Sequence, residues 1–127
     1  MSHPSILLIS GDPEIEQAVR EAARDAGHGL IVARTAQEAV KAFTRGFAGL
    51  RLILVDLDAE VHGVTLFNAL DDCHDGVPLV ALTSAEESYM KPLAIGRGAA
   101  DCLGKPLTAS RFARLVEEYC PNPLTQK

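Results

Sequence analysis

The sequence predicts an α/β protein with a doubly wound, five-stranded parallel sheet. Three observations carry this. Short apolar runs alternate with helix-periodic segments, which is the order a parallel sheet with crossover helices requires. The runs are continuously apolar rather than alternating, as strands covered on both faces must be. Polar residues with chemistry stand at the carboxyl ends of the runs, where an open parallel sheet places its site.

Taken in order, Ser5 to Ile9 reads as the first strand, bounded by Gly11 and Pro13. From Pro13, the positions Ile15, Ala18, Val19, Ala22, Ala23 and Ala26 follow helical spacing and predict a helix with one buried face, stopped by Gly27 and Gly29. Leu30 to Ala33 is the second strand. Thr35, with Glu38 three residues on, predicts a capping box, and Ala36, Ala39, Val40 and Phe43 line the inner face of the helix it opens. Leu52 to Val55 is the third strand, and Leu66, Phe67 and Leu70 mark a third helix. Leu79 to Leu82 is the fourth strand, followed by a poorer helical stretch containing Pro92. Asp101 to Leu103 is the fifth strand. Phe112, Leu115, Val116 and Tyr119 mark the last helix. The reading is five β/α units in a single domain over residues 1–120, with residues 121–127 as a flexible tail.

Composition narrows the function classes. With 127 residues, 47% hydrophobic and 23% charged, the chain has the make-up of one soluble globular domain. Its apolar runs are far shorter than the roughly 20 residues of a membrane span, and its start lacks the features of a signal peptide, so the expected location is cytoplasmic. A net charge of -5 without a Lys/Arg stripe argues against direct nucleic-acid binding. Cys73, Cys102 and Cys120 are odd in number and far apart, and read as reduced packing residues. Asp72 to Asp75 contains metal-capable groups, but neighbouring side chains point different ways and the segment runs into Gly76 and Pro78 like a turn.

Asp56, Thr83 and Lys105 close the third, fourth and fifth strands, while the first strand ends in Ser10 and Gly11. A carboxylate, a hydroxyl and an ammonium therefore converge on the site of the fold. Their bland reading is an Asp–Lys pair with a strand-end hydroxyl that satisfies buried polar groups.

The segments Leu52 to Asp56, Leu82 to Ser84 and Gly98 to Pro106, in this order on these strands, resemble the receiver domain of two-component response regulators over residues 5 to about 119. That resemblance implies a flavodoxin-like sheet of strand order 2-1-3-4-5 and a role in phosphorelay signalling rather than an enzyme's. It makes Asp56 the candidate phosphoacceptor, with Lys105 offsetting charge on the carboxylate and phosphoryl oxygens and Thr83 donating a hydrogen bond to one of them. It further implies a magnesium ion, which wants oxygen ligands in octahedral geometry.

Several positions depart from the family pattern. The acidic pair that members carry after the first strand falls on Ser10 and Gly11. Asp12 matches the next position, whose side chain is not usually a direct ligand. The loop from Asp56 to Gly63 is one residue shorter than the family loop, which displaces the backbone carbonyl of Asp58 as a third ligand. Magnesium binding through Asp12, Asp56 and Asp58 is therefore expected to be weak or absent. Cys102 stands where many members have Tyr or Phe. Pro92 requires the fourth helix to be kinked, shortened or started at Pro92.

The expectation is a degenerate receiver acting by protein contact with a histidine kinase or another signalling protein, its output passing through the fourth helix, fifth strand and fifth helix; a homodimer is allowed. The alternative is a working magnesium-dependent switch using Asp12 and Asp56. Two further classes fit less well. A haloacid-dehalogenase-type phosphatase would use Asp56 and Asp58, but Glu60 stands where Thr is expected and the motif lies on the third strand. A flavodoxin-like phosphate loop at Ser10 and Gly11 would be opposed by Asp12 and Glu14. His62 reads as an exposed loop histidine, Phe43, Phe67 and Phe112 as core, and Arg111 and Arg114 as a solvated face.

Overall fold

A computed structural model of the protein describes residues 5–35, 37–39, 41, 50–57, 77–84, 86–96, 98–105 and 107–119. Five strands, β1 (Ser5–Ile9), β2 (Gly29–Ala33), β3 (Leu50–Asp56), β4 (Leu79–Thr83) and β5 (Asp101–Gly104), form one sheet in the order β2-β1-β3-β4-β5. Every pairing is parallel. Three helices have defined bounds: α1 (Pro13–Asp25), α2 (Glu87–Gly96) and α3 (Ala109–Tyr119).

The unbroken apolar strands are explained by the two layers that cover them. Side chains alternate across a strand. Ile6, Leu8, Leu52, Leu54, Val80 and Leu82 pack with Ile15, Val19 and Ala23 of α1 and Phe112, Leu115 and Val116 of α3. Leu7, Ile9, Ile53, Val55, Leu79, Ala81 and Cys102 face the other way, against Ala39, Ala94 and Ala99. The three inner strands therefore have no polar face to show.

α1 begins where its residues require. Asp12 caps it, its Oδ1 accepting the Glu14 N–H at 2.9 Å, and Pro13 occupies the first turn, where its missing N–H costs nothing. It ends on Gly27, whose φ of 78° needs no Cβ to be accommodated, and the His28 N–H closes back on the Ala23 carbonyl at 2.9 Å. Ala18, expected on the inner face, is exposed; the buried stripe is the narrower set Ile15, Val19 and Ala23.

The Thr35 cap is present in altered form. Thr35 Oγ1 accepts the Glu38 N–H at 3.1 Å, but Glu38 reaches back to the N–H of Arg34 at 2.6 Å rather than to Thr35 itself. Residues 37–39 and 41 are helical and Ala39 is buried. Ala36, Val40, Phe43 and the third predicted helix lie outside the described residues. Pro92 neither starts nor ends its helix: α2 runs through it, as a short helix of 10 residues with Pro92 on an exposed position. Among the described residues, no helix is long and apolar enough to cross a membrane.

Candidate functional site

The strand order brings four carboxyl ends together. β1 and β3 are neighbours with Ile9 opposite Val55, so the next residues, Ser10 and Asp56, leave the sheet side by side. β4 lies on the other flank of β3, and its last residue, Thr83, pairs with Gly104 of β5. The Lys105 N–H then donates to the Thr83 carbonyl at 2.8 Å, which fixes where the lysine side chain starts. Asp56 and Thr83 are the last residues of their strands rather than the first residues beyond them, because the ladder continues further than the apolar runs: the Leu57 N–H still reaches the Leu82 carbonyl at 2.9 Å.

Asp56 is 1% exposed and its carboxylate is held at both oxygens. Lys105 Nζ lies 2.7 Å from Oδ1, and the Ser10 hydroxyl donates to Oδ2 at 2.8 Å. A buried carboxylate is costly unless paired and hydrogen-bonded, and here both conditions are met. Lys105 threads its stem along the site with its side chain 16% exposed, keeping the ammonium against the carboxylate. Thr83 is 1% exposed at the same end of the sheet. The expected convergence of Asp56 and Lys105 is therefore observed as a direct ion pair, with Thr83 on the adjoining strand end.

Ser10 was legible in the sequence as a missing acid or as part of a phosphate loop; its bond to Asp56 is a contact that local pattern does not reveal. Its oxygen also accepts the Asp12 N–H at 3.0 Å. Asp12 itself is turned to its capping role at the start of α1. Beside it, Glu16 makes ion pairs with Arg34 at 2.9 Å and Arg20 at 3.2 Å. Arg111 is exposed, as expected of a solvated face, and its Nη1 donates to the Gly104 carbonyl at 3.0 Å, next to Lys105. Cys102 is fully buried among the residues facing α2, as a packing residue would be. Asp58, His62, Cys73 and Cys120 lie outside the described residues.

The structure thus places a paired carboxylate at the carboxyl edge of a 2-1-3-4-5 parallel sheet, with a lysine at the exit of the last strand. Residues 6–117 match the family model described as the response regulator receiver domain, and the chain belongs to that family. It is 28% identical over 122 residues to an uncharacterized 14.6 kDa protein in the sodA1 3' region of Leptolyngbya boryana, covering 94% of this chain and 92% of that one. It is likewise 28% identical over 118 residues to the C4-dicarboxylate transport transcriptional regulatory protein DctD of Rhizobium meliloti, covering 91% of this chain but 25% of DctD. Among solved structures, a receiver domain protein from Clostridium thermocellum superposes with a TM-score of 0.79 at 20% identity, covering 91% of this chain and 92% of that one. The chemotaxis protein CheY4 of Vibrio cholerae gives 0.79 at 20%, covering 92% and 98%. These likenesses establish the fold; the family match establishes a signalling module of two-component systems rather than a catalytic enzyme, with a histidine kinase as the implied partner class.

Proposed function

We propose that this receiver domain works chiefly through protein contact, with Asp56 as a candidate phosphoacceptor, assisted by Thr83 and Lys105, that binds magnesium weakly. One observation carries the reading: the Ser10 hydroxyl donates to Asp56 at 2.8 Å, at the place where the family pattern puts an acid. Receiver domains typically bind magnesium, but a hard dication seeks about six oxygen ligands, usually including one or two free carboxylates. The donor set among the described residues does not fit it. Asp56 is already neutralised by an ammonium, Ser10 offers a hydroxyl, Asp12 caps α1, and no cluster of three or more His, Cys, Asp or Glu among the described residues could hold a metal. Asp56 and Lys105 balance to zero formal charge without a metal ion. The domain is proposed to span residues 1–120, with 121–127 as a tail.

Contact surface is the other support. Among the described residues the exposed large hydrophobics are Tyr89 at 67%, Leu93 at 51% and Ile95 at 47%, all on α2. With β5 and α3 this helix forms the face through which output is proposed to pass.

Magnesium with beryllofluoride, added to the isotope-labelled chain, is expected to change the NMR spectrum little. Saturable shifts at Asp56, Thr83 and Lys105 would mean a working switch instead. The double substitution Ser10→Asp, Gly11→Asp should then raise magnesium affinity. Gly11 has room for it, since a Cβ there would meet only the Arg34 carbonyl at 3.8 Å. Ser10→Asp places a second carboxylate against Asp56, a like-charge pair that a dication or a proton must relieve.

A further inference from the structure

We propose that Ser10 is a positioning residue that couples the charge on Asp56 to the first turn of α1; the inference rests on Asp56 being the group whose state changes. The path is three hydrogen bonds long. Ser10 donates to Asp56 Oδ2 at 2.8 Å, the Asp12 N–H donates to Ser10 Oγ at 3.0 Å, and the Glu14 N–H donates to Asp12 Oδ1 at 2.9 Å.

The polarity of this chain is determined. A backbone N–H can only donate and a carboxylate can only accept, so the single Ser10 proton must lie toward Asp56 while its oxygen faces Asp12. Ser10 is 2% exposed, and its own N–H is tied to the Ala33 carbonyl at 3.0 Å. The backbone is thus held in the sheet, and the hydroxyl is the part that can respond. A carboxylate strengthens the hydroxyl as an acceptor for Asp12, because hydrogen bonds in a chain polarise one another. Asp12 in turn sets the start of α1, and the Arg34–Glu16 ion pair holds the same turn from outside.

Neutralising Asp56 breaks the chain at its acceptor end and removes the polarisation that the carboxylate gives Ser10. In Asp56→Asn, the Lys105 ammonium retains the amide oxygen, which turns the amide NH2 toward Ser10. Ser10 then faces donors on both sides and its proton loses its acceptor. A phosphoryl group or a partner's cation at Oδ2 would compete for the same bond. This coupling reaches α1, on the opposite layer from α2, and is separate from the output face proposed above.

The test compares amide hydrogen exchange and chemical shifts in the full chain without magnesium, for the wild type, Ser10→Ala, Asp56→Asn and the double variant. Both single variants should speed exchange at the Asp12 and Glu14 amides about threefold to tenfold relative to amides of α3, the range expected for one lost hydrogen bond. The double variant should add nothing beyond the larger single effect, because both substitutions cut one path. Additive effects, or wild-type behaviour at these amides in Asp56→Asn, would overturn the coupling. Should Asp56→Asn fail to fold, Ser10→Ala alone decides, through the side-chain carboxyl carbon shift of Asp56, which must move. Strong magnesium binding by the wild type would refute the contact-module reading and leave this metal-free comparison standing.

Discussion

The helices described on the two sides of the sheet differ in what they bury. α1 and α3 present Ile15, Val19, Phe112, Leu115 and Val116 to the strands, all buried, with polar residues outward. α2 is short, carries Pro92 in its interior, buries Ala94, and leaves Tyr89, Leu93 and Ile95 in solvent. Large apolar side chains of α1 and α3 are buried, whereas on α2, among the described residues, Met90 packs against the core and Tyr89, Leu93 and Ile95 are exposed. The difference teaches that α1 and α3 are seated on the sheet by large buried side chains, whereas α2 leaves most of its large side chains exposed.

The comparison can be broken most directly by truncation on each layer. Phe112→Ala should cost about 3–5 kcal/mol in urea unfolding, the usual range for a buried aromatic, whereas Leu93→Ala should stay within about 0.5 kcal/mol. Equal losses would mean that α2 contributes to the core as α3 does. A smaller effect is expected at Pro92. Pro92→Ala restores a backbone donor inside α2 and removes the ring clash, and should raise stability by about 1–2 kcal/mol, read as a higher unfolding midpoint at unchanged slope. A fall in stability would show that the proline stabilises the helix it interrupts.

The smallest effect concerns pH. Tyr119, half-buried on α3, has its phenol pKa raised above 10.0, first by desolvation and then by the neighbouring Glu118. A group whose folded value is raised adds stability that is fully present below its unfolded value near 10 and is lost as pH rises through the folded one. Alkaline absorbance titration of Tyr89→Phe, which leaves Tyr119 as the sole tyrosine, should give a midpoint above 10.0. A midpoint at or below that value would remove Tyr119 from the packed layer.

Much of this was readable in advance because the signals are local. The runs at Ser5–Ile9, Leu52–Val55 and Leu79–Leu82 are strands with little adjustment. Pro13, Asp12 and Gly27 mark the limits of α1 by their own backbone chemistry. Where reading was less sharp, a non-local factor intervened. Ala18 has the right helical spacing, yet it is exposed. Glu38 has a cap partner in Thr35, yet it takes the Arg34 N–H instead. Pro92 forbids an ordinary helix interior, yet α2 passes through it on its solvent side.

The candidate site divides the same way. Asp56, Thr83 and Lys105 were identifiable in the sequence because each ends an apolar run, and strand ends are where parallel sheets place polar chemistry. Ser10 was visible as an absent carboxylate or as part of a phosphate loop, not as a partner of Asp56. Its bond to Asp56 spans 46 residues and exists because β1 pairs with β3 in a register that sets Ile9 against Val55. Residue type and period determined the strands, the helix caps and the polar strand ends, since these depend on a few neighbouring residues. Only the tertiary structure decided which oxygen each strand end would meet, because that depends on register between segments distant in the chain.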